Sequence, residues 1–135
     1  MNRIDRAFEF QEKALAVRSY RQELIASNIA NADTPHYNAV DINFADAMKK
    51  ALSNVRTGVN LEKTHERHIE GKPRHALDGI KPLYRTVVQP SIDGNTVDSN
   101  IEQAHFSENS LNYMSTLTFI NGNIQGVRMA LNGGQ

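Results

Sequence analysis

The chain has 135 residues, with 15 Lys and Arg against 15 Asp and Glu, so its formal net charge is +0. That length is one ordinary domain, and the balanced charge speaks against nucleic acid or an anionic membrane surface as a partner. Cysteine is absent, which excludes disulfides, thiolate zinc sites and thiol nucleophiles, and no apolar run is long enough to span a bilayer.

Residues 3–32 read as one helix. Ala7, Phe10, Ala14, Val17 and Leu24 recur at helical spacing, beside a second stripe of Ile4, Phe8, Leu15, Ile25 and Ile29. Such a helix is a rod of roughly 45 Å. Arg3, Asp5, Arg6, Glu9, Glu12 and Lys13 interrupt any signal-peptide core, so a route out of the cytoplasm would be uncleaved and independent of the general secretory pathway. Asn2 is the candidate N-cap, and Pro35 stops the helix by forcing Thr34 out of the helical region.

Phe44, Met48 and Leu52 share a face of a short helix over 44–55, with Lys49 and Lys50 near its negative end. Residues 56–82 are polar and punctuated by Gly58, Gly71, Pro73, Gly79 and Pro82, which predicts a long loop. Residues 83–88 have strand propensity, and Pro90 confines them to an edge. Asp93-Gly94-Asn95 is a turn, with Thr96-Val97 as a candidate returning strand.

Ser99 and Glu102 match a capping box, with Ser99 as N-cap. Beyond it the heptad pattern is the cleanest in the chain. Phe106, Tyr113, Ile120 and Val127 take one position, and Ser110, Leu117, Ile124 and Leu131 the other. Asn132-Gly133-Gly134 supplies the stop. Residues 54–100 hold few large apolar side chains, so the core is expected to come from the two terminal helices paired in a coiled-coil-like layer, antiparallel or parallel. The fold class is mainly α, with a short helix, a polar loop and a small β-hairpin or extended segment between the long helices. The chain divides into 1–55, 56–98 and 99–135, the first and last forming one structural domain. A core from two helices is thin, so stability is expected to depend on burial against other subunits.

Few constellations suggest chemistry. His65, Glu66 and His68, with His75 nearby, have metal-ligand spacing, but their loop-like setting favours surface histidines, and no metal or other cofactor is expected. Asp93 to Asp98 lacks the ligand spacing of a calcium loop. Asn28, Asn31, Asn121 and Asn123 either make buried polar contacts that fix register or cap helix ends. Gly122 and Gly126 either permit close helix approach or merely loosen their helix. No nucleophile triad, phosphate loop or paired acids support catalysis, and no small-molecule substrate is indicated.

The stretch Ser27-Asn28-Ile29-Ala30-Asn31-Ala32-Asp33-Thr34-Pro35-His36-Tyr37 resembles the N-terminal signature of the rod and hook axial proteins of the bacterial flagellum. Asn28, Asn31, Thr34, Pro35 and Tyr37 carry the match. Ala39, Asp41 and Phe44, the run from Gln89 to Asp98, and Phe106, Asn109, Ser110, Leu111 and Tyr113 extend it. On these residues the chain is similar to the flagellar basal body rod protein family, to its proximal rod members in particular. His36 stands where the family usually has Gly, and a type I turn is the expected accommodation.

The resemblance implies a structural subunit of the rod, exported by the flagellum's own type III apparatus and localised to the basal body. Its partners would be other copies of itself, other rod proteins, the basal-body adaptor protein, the membrane ring and the export gate. Phe44 and Met48 resemble a gate-recognition motif. Ile4, Phe8, Phe10, Leu15, Val17, Leu24, Ile29, Phe106, Tyr113, Leu117, Ile120, Ile124, Val127 and Leu131 would form the assembly seam. A soluble helical adaptor or secretion chaperone is the alternative.

Overall fold

A computed structural model describes residues 3–53, 77, 79–86 and 91–133, with side chains described from Asp5 onward. His65, Glu66, His68 and His75 lie outside the described residues. The element order is α1 (Arg3–Ala30), β1 (Val40–Asp41), α2 (Phe44–Ser53), β2 (Leu83–Tyr84) and α3 (Ser99–Leu131). The protein is mainly helical, and its two long helices pack side by side. Asn28 meets Glu102, Gln22 meets Ser110 and Gln11 meets Asn123, so residue numbers rise on one helix as they fall on the other, and the pair is antiparallel.

The apolar core lies elsewhere than the sequence suggests. Ala14 and Val17 of α1 pack with Ile42, with Ala47, Met48 and Ala51 of α2, and with Ile80. Tyr20, Leu24, Phe44, Leu52 and Leu77 flank this cluster. The buried core is therefore an α1–α2 core, and Leu77 and Ile80, from a stretch read as polar loop, belong to it. The only residues of α3 that are buried are polar, Glu102 and Asn109.

Each boundary has a local cause. The α1 helix ends at Ala30, two residues before the expected limit, and tightens through bonds from Asn31 N–H to the Ser27 and Asn28 carbonyls and from Ala32 N–H to Ile29. Asn43 caps α2 by accepting from the Asp46 N–H at 3.2 Å. At the other end Lys13, itself buried, donates to the Ala51 carbonyl at 2.7 Å, so a cation from α1 sits on the negative end of α2. Residues 54 and 55, which the sequence places in this helix, lie outside the described residues.

The structure departs from the sequence-based expectation at three further places. The N-cap of α3 is Asp98, not Ser99, with one Asp98 oxygen accepting from the Asn100 and Ile101 N–H groups. Aspartate caps as well as serine, and the shift releases Glu102 from the capping box. The strand at Leu83–Tyr84 pairs antiparallel with Val40–Asp41 (Val40 opposite Tyr84, Asp41 opposite Leu83), and not with Thr96-Val97. Thr96 instead donates its N–H to the Tyr37 carbonyl and accepts from Ala39 N–H at its hydroxyl. Finally, His36 has φ +60, and Tyr37 N–H reaches the Thr34 carbonyl at 3.3 Å. With Pro35 before it, His36 occupies the left-handed third position of a type II turn, despite a cost of about 1–2 kcal/mol for a residue with a Cβ. A 3.1 Å bond from His36 N–H to the Asp93 carbonyl helps hold it there.

Candidate functional site

The motif residues converge on a polar junction where the end of α1, β1, β2 and the start of α3 meet. Asn28, fully buried, is its hub. Its Nδ2 donates to the Val40 carbonyl (2.8 Å) and to Glu102 (3.1 Å), while its Oδ1 accepts from Val40 N–H (3.0 Å) and the Tyr37 hydroxyl (3.3 Å). The amide thus pairs with a strand residue as a second strand would, and every polar atom of the side chain is used. Asn31 returns to the Ser27 carbonyl at 2.8 Å and accepts from Thr34 at 3.2 Å, while Pro35 sets the exposed turn.

Charge completes the junction. Arg21 Nε and Nη2 hold the two Asp41 oxygens, each at 2.9 Å, in a fork-to-fork pair. Arg85 bridges, donating Nη2 to Asp41 at 2.6 Å and Nη1 to Glu102 at 2.5 Å. Two guanidinium groups and two carboxylates make a neutral set spanning all four segments. Burial alone would raise the Asp41 carboxyl, but hydrogen bonds from Arg21, Arg85 and the Ile42 N–H outweigh it and hold the group below its usual range. The same bond to Asp41 raises Arg21.

Three further sets of contacts fix the helices. Asn95, buried, sends its amide to the carbonyls of Asn31 (3.0 Å), Ala32 (2.7 Å) and Thr34 (2.9 Å), closing the C-terminal end of α1. Asn109, fully buried, donates to the Arg18 carbonyl at 2.9 Å and to Gln22. Arg18 lies over the Phe44 ring, 4.4 Å from its centroid.

Sequence reasoning singles out Asn28, Asn31, Thr34, Pro35 and Tyr37 as a motif and misses most of the residues that they contact. The sequence reading gives Arg21 no role of its own and takes Arg85 as part of a strand, Glu102 as a capping residue and Asn95 as a turn residue. Of the residues proposed for the seam, Val17 is buried in the α1–α2 core, and Phe8, Leu15, Leu24, Ile29, Tyr113, Leu117, Ile120 and Val127 are half-buried. Phe10, Phe106, Ile124 and Leu131 are exposed, and the Ile4 side chain lies outside the described residues. Met48 is buried and Phe44 half-buried. Asn121 and Asn123 are exposed. Among the described residues no group of three His, Cys, Asp or Glu could hold a metal ion, and no helix is long and apolar enough to cross a membrane.

The junction uses its charges and amides to hold four segments together. The family described as flagella basal body rod protein matches residues 8–37, from α1 through the Asn and Pro turn. The chain is 44% identical to the flagellar basal body rod protein FlgB of Proteus mirabilis strain HI4320, over 99% of both chains. It is 44% identical to the FlgB of Salmonella typhimurium strain LT2 and 42% identical to that of Escherichia coli K12, again over 99% of each. These are structural proteins of the flagellar rod. The chain belongs to the flagellar basal body rod protein FlgB family.

Proposed function

We propose that this chain is a subunit of the proximal part of the rod and acts by packing, with no catalytic step. The observation that carries this is the state of α3. Over 33 residues that helix buries only Glu102 and Asn109, while Leu111, Met114, Phe119, Ile124, Met129 and Leu131 stay exposed. Apolar surface left uncovered on this scale marks a contact surface. At about 25 cal/mol per Å², covering it on docking is strongly favourable. A heterologous contact repeated by a screw operation makes a filament, which is what a drive shaft requires.

The seam residues of α1 and α3 would carry the contacts with other copies and with other rod proteins. The adaptor protein below, the membrane ring and the export gate complete the proposed set of neighbours. Export would be uncleaved, through the flagellum's own apparatus, with Phe44 and Met48 read by the gate. Met48 is buried and Phe44 half-buried in the folded chain, so that reading needs the segment unfolded. The motif Asn28, Asn31, Thr34, Pro35 and Tyr37 is assigned the task of fixing α1 against α3. The lengths 1–55 and 99–135 then act as one helical unit, with 56–98 between them.

Ile124→Asp tests the reading. Ile124 is 42% exposed, so the isolated variant is expected to keep its helix content by circular dichroism. Cells carrying it are expected to be non-motile and to lack assembled rods, and Leu117→Asp is expected to do the same. Normal swimming by both variants would overturn the proposal.

A further inference from the structure

Four places in the chain put an aspartate or asparagine directly before a glycine: Asp78–Gly79, Asp93–Gly94, Asn121–Gly122 and Asn132–Gly133. At such a pair the glycine nitrogen carries no crowding side chain as it approaches the preceding side-chain carbonyl. Attack there closes a five-membered succinimide, and the fold decides where it can happen. Asp78 lies outside the described residues. Gly94 donates its N–H to the Ser91 carbonyl at 3.1 Å, and Asp93 Oδ1 accepts from the Ser91 hydroxyl and the Asn95 N–H. Those bonds from Ser91 and Asn95 hold the Asp93 carboxyl below its usual range, as a carboxylate that resists attack. Asn121 and Gly122 lie inside α3, where the helical ladder engages the N–H and fixes the backbone.

Asn132–Gly133 differs on each count. Asn132 is the C-cap of α3, with φ −84 and ψ 9, and Gly133 follows at φ +77. Both residues are exposed. The bond at this cap runs from the Asn132 N–H to the Arg128 carbonyl at 3.0 Å, and rotation about the Asn132 ψ bond leaves it intact. Among the described residues nothing hydrogen-bonds the Asn132 side-chain amide or the Gly133 N–H. A Cβ added at Gly133 would meet nothing within 4 Å. Turning the Gly133 nitrogen onto the Asn132 side chain therefore breaks no contact.

We propose that Asn132 deamidates spontaneously through Gly133 in unassembled copies, and that the product is shut out of the rod. The Gly133 nitrogen attacks Asn132 Cγ and gives up its proton to water. The new C–N bond forms as the bond from Cγ to Nδ2 breaks, releasing ammonia. Water then opens the succinimide at either carbonyl and leaves aspartate or isoaspartate, with no oxidation or reduction. Either product puts a carboxylate at the negative end of α3, where it is unfavourable. Arg128 lies one turn back, but an exposed ion pair recovers little. The new charge also sits beside Leu131, an exposed seam residue, on a helix that carries no charge from Asn109 to Val127. Docking would have to dehydrate it. The exclusion rests on the rod-subunit reading, while the deamidation does not.

The purified chain is held at mildly alkaline pH, and cleavage after Arg128 then isolates Asn132 as the one asparagine of its fragment. The expected result is conversion of that fragment to an aspartate and isoaspartate pair, resolved by chromatography and mass, at least about tenfold faster than at Asn121. Asn132→Gln, whose amide would need a six-membered ring, is expected to stay unmodified. A rate at Asn132 no greater than at Asn121 would overturn the site. For the exclusion, flagellated cells co-express differently tagged copies of the natural chain and of Asn132→Asp. The ratio of variant to natural chain is expected to be several-fold lower in isolated basal bodies than in whole cells, and unchanged for Asn132→Gln. Equal incorporation of Asn132→Asp, or equal depletion of Asn132→Gln, would overturn the exclusion and leave the rod reading standing. Absence of the natural chain from the basal bodies would instead remove the rod reading and the exclusion with it, while the deamidation measured on the purified chain would stand.

Discussion

Replacing Arg85 by Met removes the one residue that joins β2 to both carboxylates of the junction. The Glu102 side chain is 2% exposed and that of Arg85 19%. After the change Asp41 still has Arg21 on both oxygens, so the loss falls on Glu102, left buried with only the Asn28 amide. Removing one partner of a buried ion pair costs about 3–5 kcal/mol, and the partial exposure of Arg85 argues for the lower end, about 3 kcal/mol. With a urea slope of about 1.5 kcal/mol/M, the unfolding midpoint falls by about 2 M. Circular dichroism at rising urea measures that shift. Hydrogen exchange should show residues 99–110 of α3 losing protection before α2 does. The double variant Arg85→Met with Glu102→Gln removes the stranded charge, so it should unfold at a higher urea concentration than the two single effects summed, with a coupling of about 1 kcal/mol or more. A midpoint shift under about 0.5 M, or simple additivity, would refute the argument that Arg85 holds α3 to the junction through Glu102.

Acid should act through Asp41. Its folded carboxyl lies below its unfolded value, so its contribution is complete above about pH 4 and is lost as pH falls through the depressed folded value. Melting temperatures from pH 6 down to pH 2 should therefore drop more steeply for the natural chain than for Asp41→Asn, and parallel curves would count against it. Asn95→Ala strips the donor from three carbonyls at the end of α1 and should cost about 1–2 kcal/mol. Faster amide exchange at Asn31, Ala32 and Thr34 is the local reading, and unchanged protection there would show that the cap does little.

Periodicity made the long helices legible, because their apolar stripes are local facts of the sequence. The short helix was legible for the same reason, through Phe44, Met48 and Leu52. What it packs against was not. Ile80 enters the α1–α2 core from a stretch whose composition is that of a loop, and only tertiary contact distinguishes it from a surface isoleucine. Glu102 shows the difficulty best. Three residues after Ser99 it fits a capping box, but Asp98 is an equally good cap one residue earlier. That single-residue choice turns Glu102 from a solvent-facing cap into a buried partner of Arg85 and Asn28. His36 reversed a propensity argument in the same way. The strain at φ +60 is local and visible from sequence, while its compensation by Asp93 comes from a residue far along the chain.

The division of labour between polar and apolar groups is the reverse of that in a self-sufficient globule, and it has a physical reason. An apolar contact holds many angles nearly equally well, whereas an amide paired with both polar groups of Val40, or a guanidinium forked onto Asp41, tolerates few. Within the chain, α3 is therefore fixed at its N-terminal end by Glu102 and Asn109, whose bonds set its angle to α1. Beyond Asn109 it leaves its apolar groups half-covered or bare. Direction is settled inside the subunit, and the larger hydrophobic gain is withheld until a neighbour arrives. A subunit built the other way, with an apolar junction and polar outer helices, would fold more firmly alone but would have little surface left to drive assembly into a rod.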